Sequence, residues 1–154
     1  MISPELLRRY PFFNFMDDTE LKAVAMIAEE VVLEKDSIIF NANDNAKMLY
    51  FLEDGSASNF FIVENGGTKH KELYIGEINP GELFGISALI EPYVYTATMR
   101  ADKKCRVIRI EASALRALCE VDTRLAYAFM QATAKVVLQR LEATRVQLAA
   151  AQAH

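Results

Sequence analysis

The sequence has no surplus of positive charge: 17 Lys and Arg stand against 21 Asp and Glu, giving a net charge of -4 and a pI near 5.3. Attraction to the phosphate backbone carries most DNA binding, so direct contact with nucleic acid is not expected of this chain. Cysteine is scarce too. Cys105 lies in an apolar strand-like run and Cys119 in a helical one, with no pair at metal or redox spacing, which predicts small core residues in a reducing compartment. The two histidines are His70 and His154, and no His-x-His occurs. A Walker loop, a nucleophile elbow and a paired-carboxylate motif are also absent, since Glu29 and Glu30 are adjacent and diverge at a helix end. Catalysis is therefore not expected. No apolar run reaches membrane length, and Met1 to Tyr10 lacks the apolar stretch and cleavage site of a secretory signal, which predicts a cytoplasmic protein without membrane contact.

What is present is enough for one compact domain: 154 residues, 52% hydrophobic and 25% charged, without an internal repeat or a low-complexity linker. Asp17, three residues before Glu20, predicts a capped helix whose apolar positions Leu21, Val24, Ala25 and Ala28 share one face. From Val31 to Ile110 the texture changes to short runs rich in Val, Ile, Phe and Tyr. These predict seven antiparallel strands, at 31–35, 37–40, 47–53, 57–64, 71–79, 94–101 and 104–110. Asp36, Asn43, Asn45, Gly55 and Gly81 punctuate them, and Asn65-Gly66-Gly67 reads as a hairpin tip. A short helix is expected near Ser113–Cys119, then a long one capped by Asp122 and reaching about Ala151.

Along that last helix Tyr127, Met130, Ala134, Val137, Leu141, Thr144, Leu148 and Ala151 recur in steps of three and four, as in a coiled-coil seam. The first turns, around Leu125 and Phe129, are expected to cover the domain's own core. Beyond them the helix outruns a small roll, so the seam Met130, Ala134, Val137, Leu141, Thr144 and Leu148 predicts a homodimer. Residues 1–121 then form the roll with its short flanking helices, and 122–154 a dimerisation helix of the same domain.

The order of helix, glycine-punctuated strands, short helix and long helix resembles the cyclic nucleotide-binding domains of the catabolite activator and protein kinase A regulatory families. The segment Pro80-Gly81-Glu82-Leu83-Phe84-Gly85-Ile86-Ser87-Ala88-Leu89-Ile90, followed by Tyr95-Thr96-Ala97-Thr98-Met99-Arg100-Ala101, is similar to their phosphate-binding cassette. Leu49-Tyr50-Phe51-Leu52 and Gly55 are similar to their third strand and its turn. The resemblance implies a mainly β fold, a double-stranded β-helix jelly roll with N-terminal helices and a long C-terminal helix. It also implies a ligand site at Phe84, Gly85, Ile86, Ser87, Ala88, Leu89, Tyr95, Thr96 and Ala97, in which free amides near Ile86 to Leu89 face an anion.

Two side chains complete that site in the family, a glutamate for the ribose and an arginine for the cyclic phosphate. Ile86 and Tyr95 stand in their places, and only Thr96 resembles the family's phosphate-facing hydroxyl. Charge-assisted hydrogen bonds are worth about 1.5–3 kcal/mol each, so the loss is roughly 4–8 kcal/mol. A micromolar affinity becomes millimolar or weaker.

Two outcomes remain open for the pocket. Ile86 and Tyr95 collapse onto Leu83, Phe84 and Leu89 and close it, the favoured outcome, or it takes a different ligand oriented by the Tyr95 hydroxyl, Thr96 and the helix amides. His70 occupies a hairpin where some sensors of this superfamily carry a haem ligand. Haem would need a second ligand from His154, Cys105, Met48 or Met99, so no cofactor is expected. Cupin enzymes share the compact roll, but their metal needs two or three histidines. Arg100, Arg106 and Arg109 read as a solvated strand face rather than a substitute clamp. The transcription-factor relatives continue into a helix-turn-helix, which the residues to His154 do not include. Three readings follow: a dimeric regulatory module with a degenerate nucleotide pocket, a sensor of another small molecule or haem, and a structural or partner-binding scaffold.

Overall fold

The computed structural model describes residues 1–65 and 69–153, with backbone alone at residues 64, 65, 69 and 70. The Gly66-Gly67 tip, the His70 side chain and His154 thus lie outside the described residues. Two four-stranded antiparallel sheets form a jelly roll, one ordered β1-β8-β3-β6 and the other β2-β7-β4-β5. The strands are β1 (Ala28–Leu33), β2 (Ile38–Phe40), β3 (Met48–Asp54), β4 (Ala57–Asn65), β5 (Lys69–Ile78), β6 (Leu83–Phe84), β7 (Thr98–Ala101) and β8 (Cys105–Glu111).

All seven expected runs contain a strand, and two expectations change. The run 94–101 is strand only from Thr98, because Tyr93 turns at φ 59° and Val94 forms a lone bridge to Asn45. The eighth strand, β6, has two residues, too few to show any period. Ala28 is also reassigned: the helix ends at Met26, and Ala28 opens β1 opposite Ile110. Gly55 turns at φ +107°, and a Cβ there would lie 2.7 Å from the Cys105 sulfur, so only glycine fits between β3 and β4.

The central strand β3 is buried from Leu49 to Glu53 because both of its faces are covered. One face meets the roll interior. The other meets the N-terminal layer of α1 (Pro4–Arg8), a 3₁₀ turn at Pro11–Phe15 and α2 (Asp18–Met26), where the rings of Tyr10, Phe12 and Phe13 lie about 5 Å from Phe51. Asp17 and Glu20 form the expected reciprocal cap of α2. Glu53 ends the buried run, accepting a 2.6 Å hydrogen bond from the Tyr10 hydroxyl, and burial raises its carboxyl above the usual range.

After β8 come α3 (Ala112–Val121) and α4 (Thr123–Gln152), with the Asp122 carboxylate accepting from the Leu125 amide at 3.0 Å. Among the described residues no helix is long and apolar enough to cross a membrane. Leu125, Phe129 and Thr133 bury one stripe of α4, and Phe129 meets Phe15 edge-on at 5.3 Å. Arg124 ties the same joint by pairing with Glu20 at 3.0 Å and donating to the Phe15 carbonyl. At about 1.5 Å per residue α4 is about 45 Å long. From Leu141 onward its residues are exposed in the single chain.

Phe129→Ala empties the contact between α4 and the N-terminal layer and is expected to cost about 3–5 kcal/mol. Urea unfolding reads it as a lowered midpoint with an unchanged slope.

Candidate functional site

The cassette begins where β6 delivers Gly85 at φ +71°, with Tyr50 Cδ2 only 3.1 Å from where a Cβ would stand. Glycine thus lets the chain turn tightly over β3 into the 3₁₀ helix Ile86–Leu89. Ala88 faces the core, while Ile86, Ser87 and Leu89 are half-buried. On the far side Arg116 of α3 donates to the Ala88 carbonyl at 2.7 Å and lies 4.0 Å above the Tyr93 ring.

Tyr95 is buried and stacks flat on Phe40, with centroids 3.7 Å apart and planes at 12°. Phe40, Tyr50 and Phe84 continue the row, Tyr50 and Phe84 being stacked at 5.0 Å. The Tyr95 hydroxyl points into this row and donates to the Met48 carbonyl at 2.6 Å. Burial first, then the nearby Tyr50 and Asp44, push its pKa well above the usual phenol value, against the pull of the Met48 amide, which donates to the phenol oxygen at 3.3 Å. The phenol is a neutral, committed group of the core. The expectation that it orients a ligand is corrected.

The expectation of a closed pocket is corrected as well. A cavity of about 320 Å³ opens beside the ring row, within the usual range for a small-ligand site. Phe84, Gly85, Ile86, Ser87, Tyr95, Thr96 and Ala97 line it together with Phe40, Asn59, Phe61, Ile75 and Met99. Ala88 and Leu89, expected among them, lie behind this wall. Thr96, Phe61 and Val137 are exposed at its rim.

The remaining wall comes from α4, through Val136, Val137, Arg140 and Thr144. Sequence reasoning assigned Val137 and Thr144 to a dimer seam and passed over Arg140. The signal was available, because Leu125, Phe129, Thr133, Val136, Arg140 and Gln147 continue one helical stripe in steps of three, four and seven. Arg140 interrupts the apolar pattern and so drops out of a hydrophobic reading.

A bulge in β5 receives this face of the helix. Asn59 pairs with Gly76 and Phe60 with Tyr74, which leaves Ile75 as an extra residue whose carbonyl accepts from the Gln147 side chain at 2.8 Å. Gly76 leaves room for the guanidinium, since a Cβ there would stand 3.2 Å from Arg140 Nη1. Burial lowers the Arg140 pKa below its usual value, with Glu82 and Tyr74 acting in the opposite direction. Among the described residues Arg140 has no hydrogen-bonded or ion-paired partner, and the Asn59 carbonyl oxygen is buried without one. The three arginines considered from sequence are engaged elsewhere: Arg100 with Glu72, Arg106 near Glu30 and Glu53, Arg109 with Glu29.

The family model for the cyclic nucleotide-binding domain matches residues 30–122. A solved structure from Geobacter metallireducens, described as a cyclic nucleotide-binding protein, is 38% identical over 92% of this chain and 99% of its own, with a TM-score of 0.79. The sensor domain of the transcriptional regulator DNR from Pseudomonas aeruginosa shares the fold at 20% identity and a TM-score of 0.67, covering 90% of this chain and 95% of that one. A Rhodopseudomonas palustris protein described as a potassium channel is 20% identical over 118 residues, 77% of this chain. The chain spans 27% of the length of that curated relative.

Tyr95→Phe keeps the stack on Phe40 but strands the Met48 carbonyl, a loss expected to cost about 1–3 kcal/mol. A shift in the denaturant midpoint measures it.

Proposed function

The chain belongs to the cyclic nucleotide-binding domain family, and we propose that it is a non-catalytic regulatory sensor module in signal transduction that binds cyclic AMP and cyclic GMP weakly or not at all. The observation that carries this reading is the Tyr95 phenol, which stands where the resembling family has its phosphate-pairing arginine and donates a hydrogen bond to the Met48 carbonyl. Ile86, in the glutamate's place, offers the ribose no acceptor. A cyclic phosphate seated against the cassette would leave its solvent shell without the forked cation that the cassette itself supplies in the family.

The output of the module is a movement of α4. Arg116 joins the cassette carbonyl of Ala88 to α3, and α3 meets α4 at the single residue Asp122, so a displaced cassette pulls on the hinge. The second copy of the dimer sits on the exposed seam. Met130, Val137, Leu141 and Leu148 are each at least 42% exposed in the single chain, roughly a quarter turn around the helix from the stripe that faces the roll. The net charge of -4 argues against direct contact with nucleic acid, and a cytoplasmic module is the form in which such a sensor would meet its ligand and its partner.

Calorimetry with cyclic AMP and with cyclic GMP is expected to give dissociation constants near or above about 1 mM, and a value at or below about 10 μM, about -7 kcal/mol, overturns the reading. Leu141→Glu is expected to convert a dimer to a monomer in light scattering, because it places a charge in the seam. An unchanged mass removes the seam.

A further inference from the structure

The cavity holds one cation and no acid. Arg140 is the single charged residue in its lining, the other lining groups being apolar, hydroxyl or amide. A guanidinium on an exposed helix ordinarily turns to water, where it loses nothing. Here Gly76 omits the side chain that would occupy its space, the bulge at Ile75 clasps the next turn of α4 through Gln147, and the charge is held partly desolvated beside the unpartnered Asn59 amide. Burying a cation that no acceptor engages is costly, and the glycine and the bulge together place it there.

We propose that this cavity binds a small amphipathic carboxylate, with its carboxylate on Arg140 and Asn59 and its apolar body on Phe40, Phe84, Ile86 and Met99. One guanidinium presents a fork that matches one carboxylate through two parallel hydrogen bonds. A phosphate dianion would meet a single cation where it needs several donors. The side-chain NH₂ of Asn59 supplies a further donor, the oxygen being the buried end of this cavity-lining amide. The aromatic and aliphatic wall suits an unbranched alkyl chain or a phenyl ring, and the cavity volume of about 320 Å³ limits the body to that size. The charged anchor therefore comes from α4 itself, so ligand arrival acts directly on the helix that carries the dimer seam. This deepens the sensor reading and rests on it.

The test uses octanoate and phenylacetate as probes, with octanamide and phenylacetamide as their uncharged counterparts, on the whole chain. At about 5 mM the carboxylates are expected to raise the melting temperature and the amides to leave it unchanged, because a ligand that binds only the folded state shifts unfolding. In calorimetry Arg140→Gln is expected to weaken octanoate at least about tenfold, with Arg140→Lys falling between the two. Unliganded melting curves check that both variants fold. Equal binding of acid and amide, undiminished binding by Arg140→Gln, or no shift with either acid overturns the carboxylate proposal. Cyclic AMP titrated into the same samples reports on the family reading separately: tight binding there sinks the weak-nucleotide conclusion, whatever octanoate does.

Discussion

A single hydrogen bond, from the Tyr95 hydroxyl to the Met48 carbonyl, decides what the interior of this roll is for. Its donor sits at the end of a row of rings, Tyr95, Phe40, Tyr50 and Phe84, which fills the space between the two sheets with apolar surface. Once the phenol is satisfied by strand backbone, that row offers dispersion contacts and no charge. The same bond ties the loop before β7 to the start of β3. The charge in the cavity comes from elsewhere, from Arg140 on α4.

Much of this architecture is legible in the sequence, because its signals are local. Alternating apolar residues mark the strands, Asp17 with Glu20 marks α2, and Asp122 marks the start of α4. The cassette is legible through Gly81 and Gly85, whose positive φ values glycine adopts without strain. Leu83–Phe84 is not, since two residues carry no period and their pairing with Tyr50 and Phe51 is set by the fold. In α1 the five residues are likewise too few for a period, although the Ser3 cap and Pro4 mark its start.

The site is less legible than the fold, for a physical reason. The cassette residues are contiguous, so their spacing reveals them. Asn59, Gly76 and Arg140 come from three elements and meet only because a bulge shifts one strand by a residue. Val137 and Thr144 belong at once to a heptad and to the wall of the cavity, because both positions lie where the two faces of the helix adjoin. The direction of the Tyr95 hydroxyl is likewise a tertiary fact: the residue type shows a missing cation, while its partner depends on where β3 passes.

The bulge has a further bearing on how freely this protein can change. Beyond it the hairpin of β4 and β5 stands away from the roll, with Phe61, Ile62, Leu73 and Tyr74 all open to solvent. An irregularity in a two-stranded ladder acts as a break in register, so lengthening or shortening the ribbon on its outer side leaves the pairing of Ala57 with Ile78 and Asn59 with Gly76 in place. Beyond Phe61, whose ring lines the chamber, the ribbon can change length with the chamber wall left in place, whereas one residue gained or lost between Gly76 and Ile78 would displace the glycine from beneath the guanidinium.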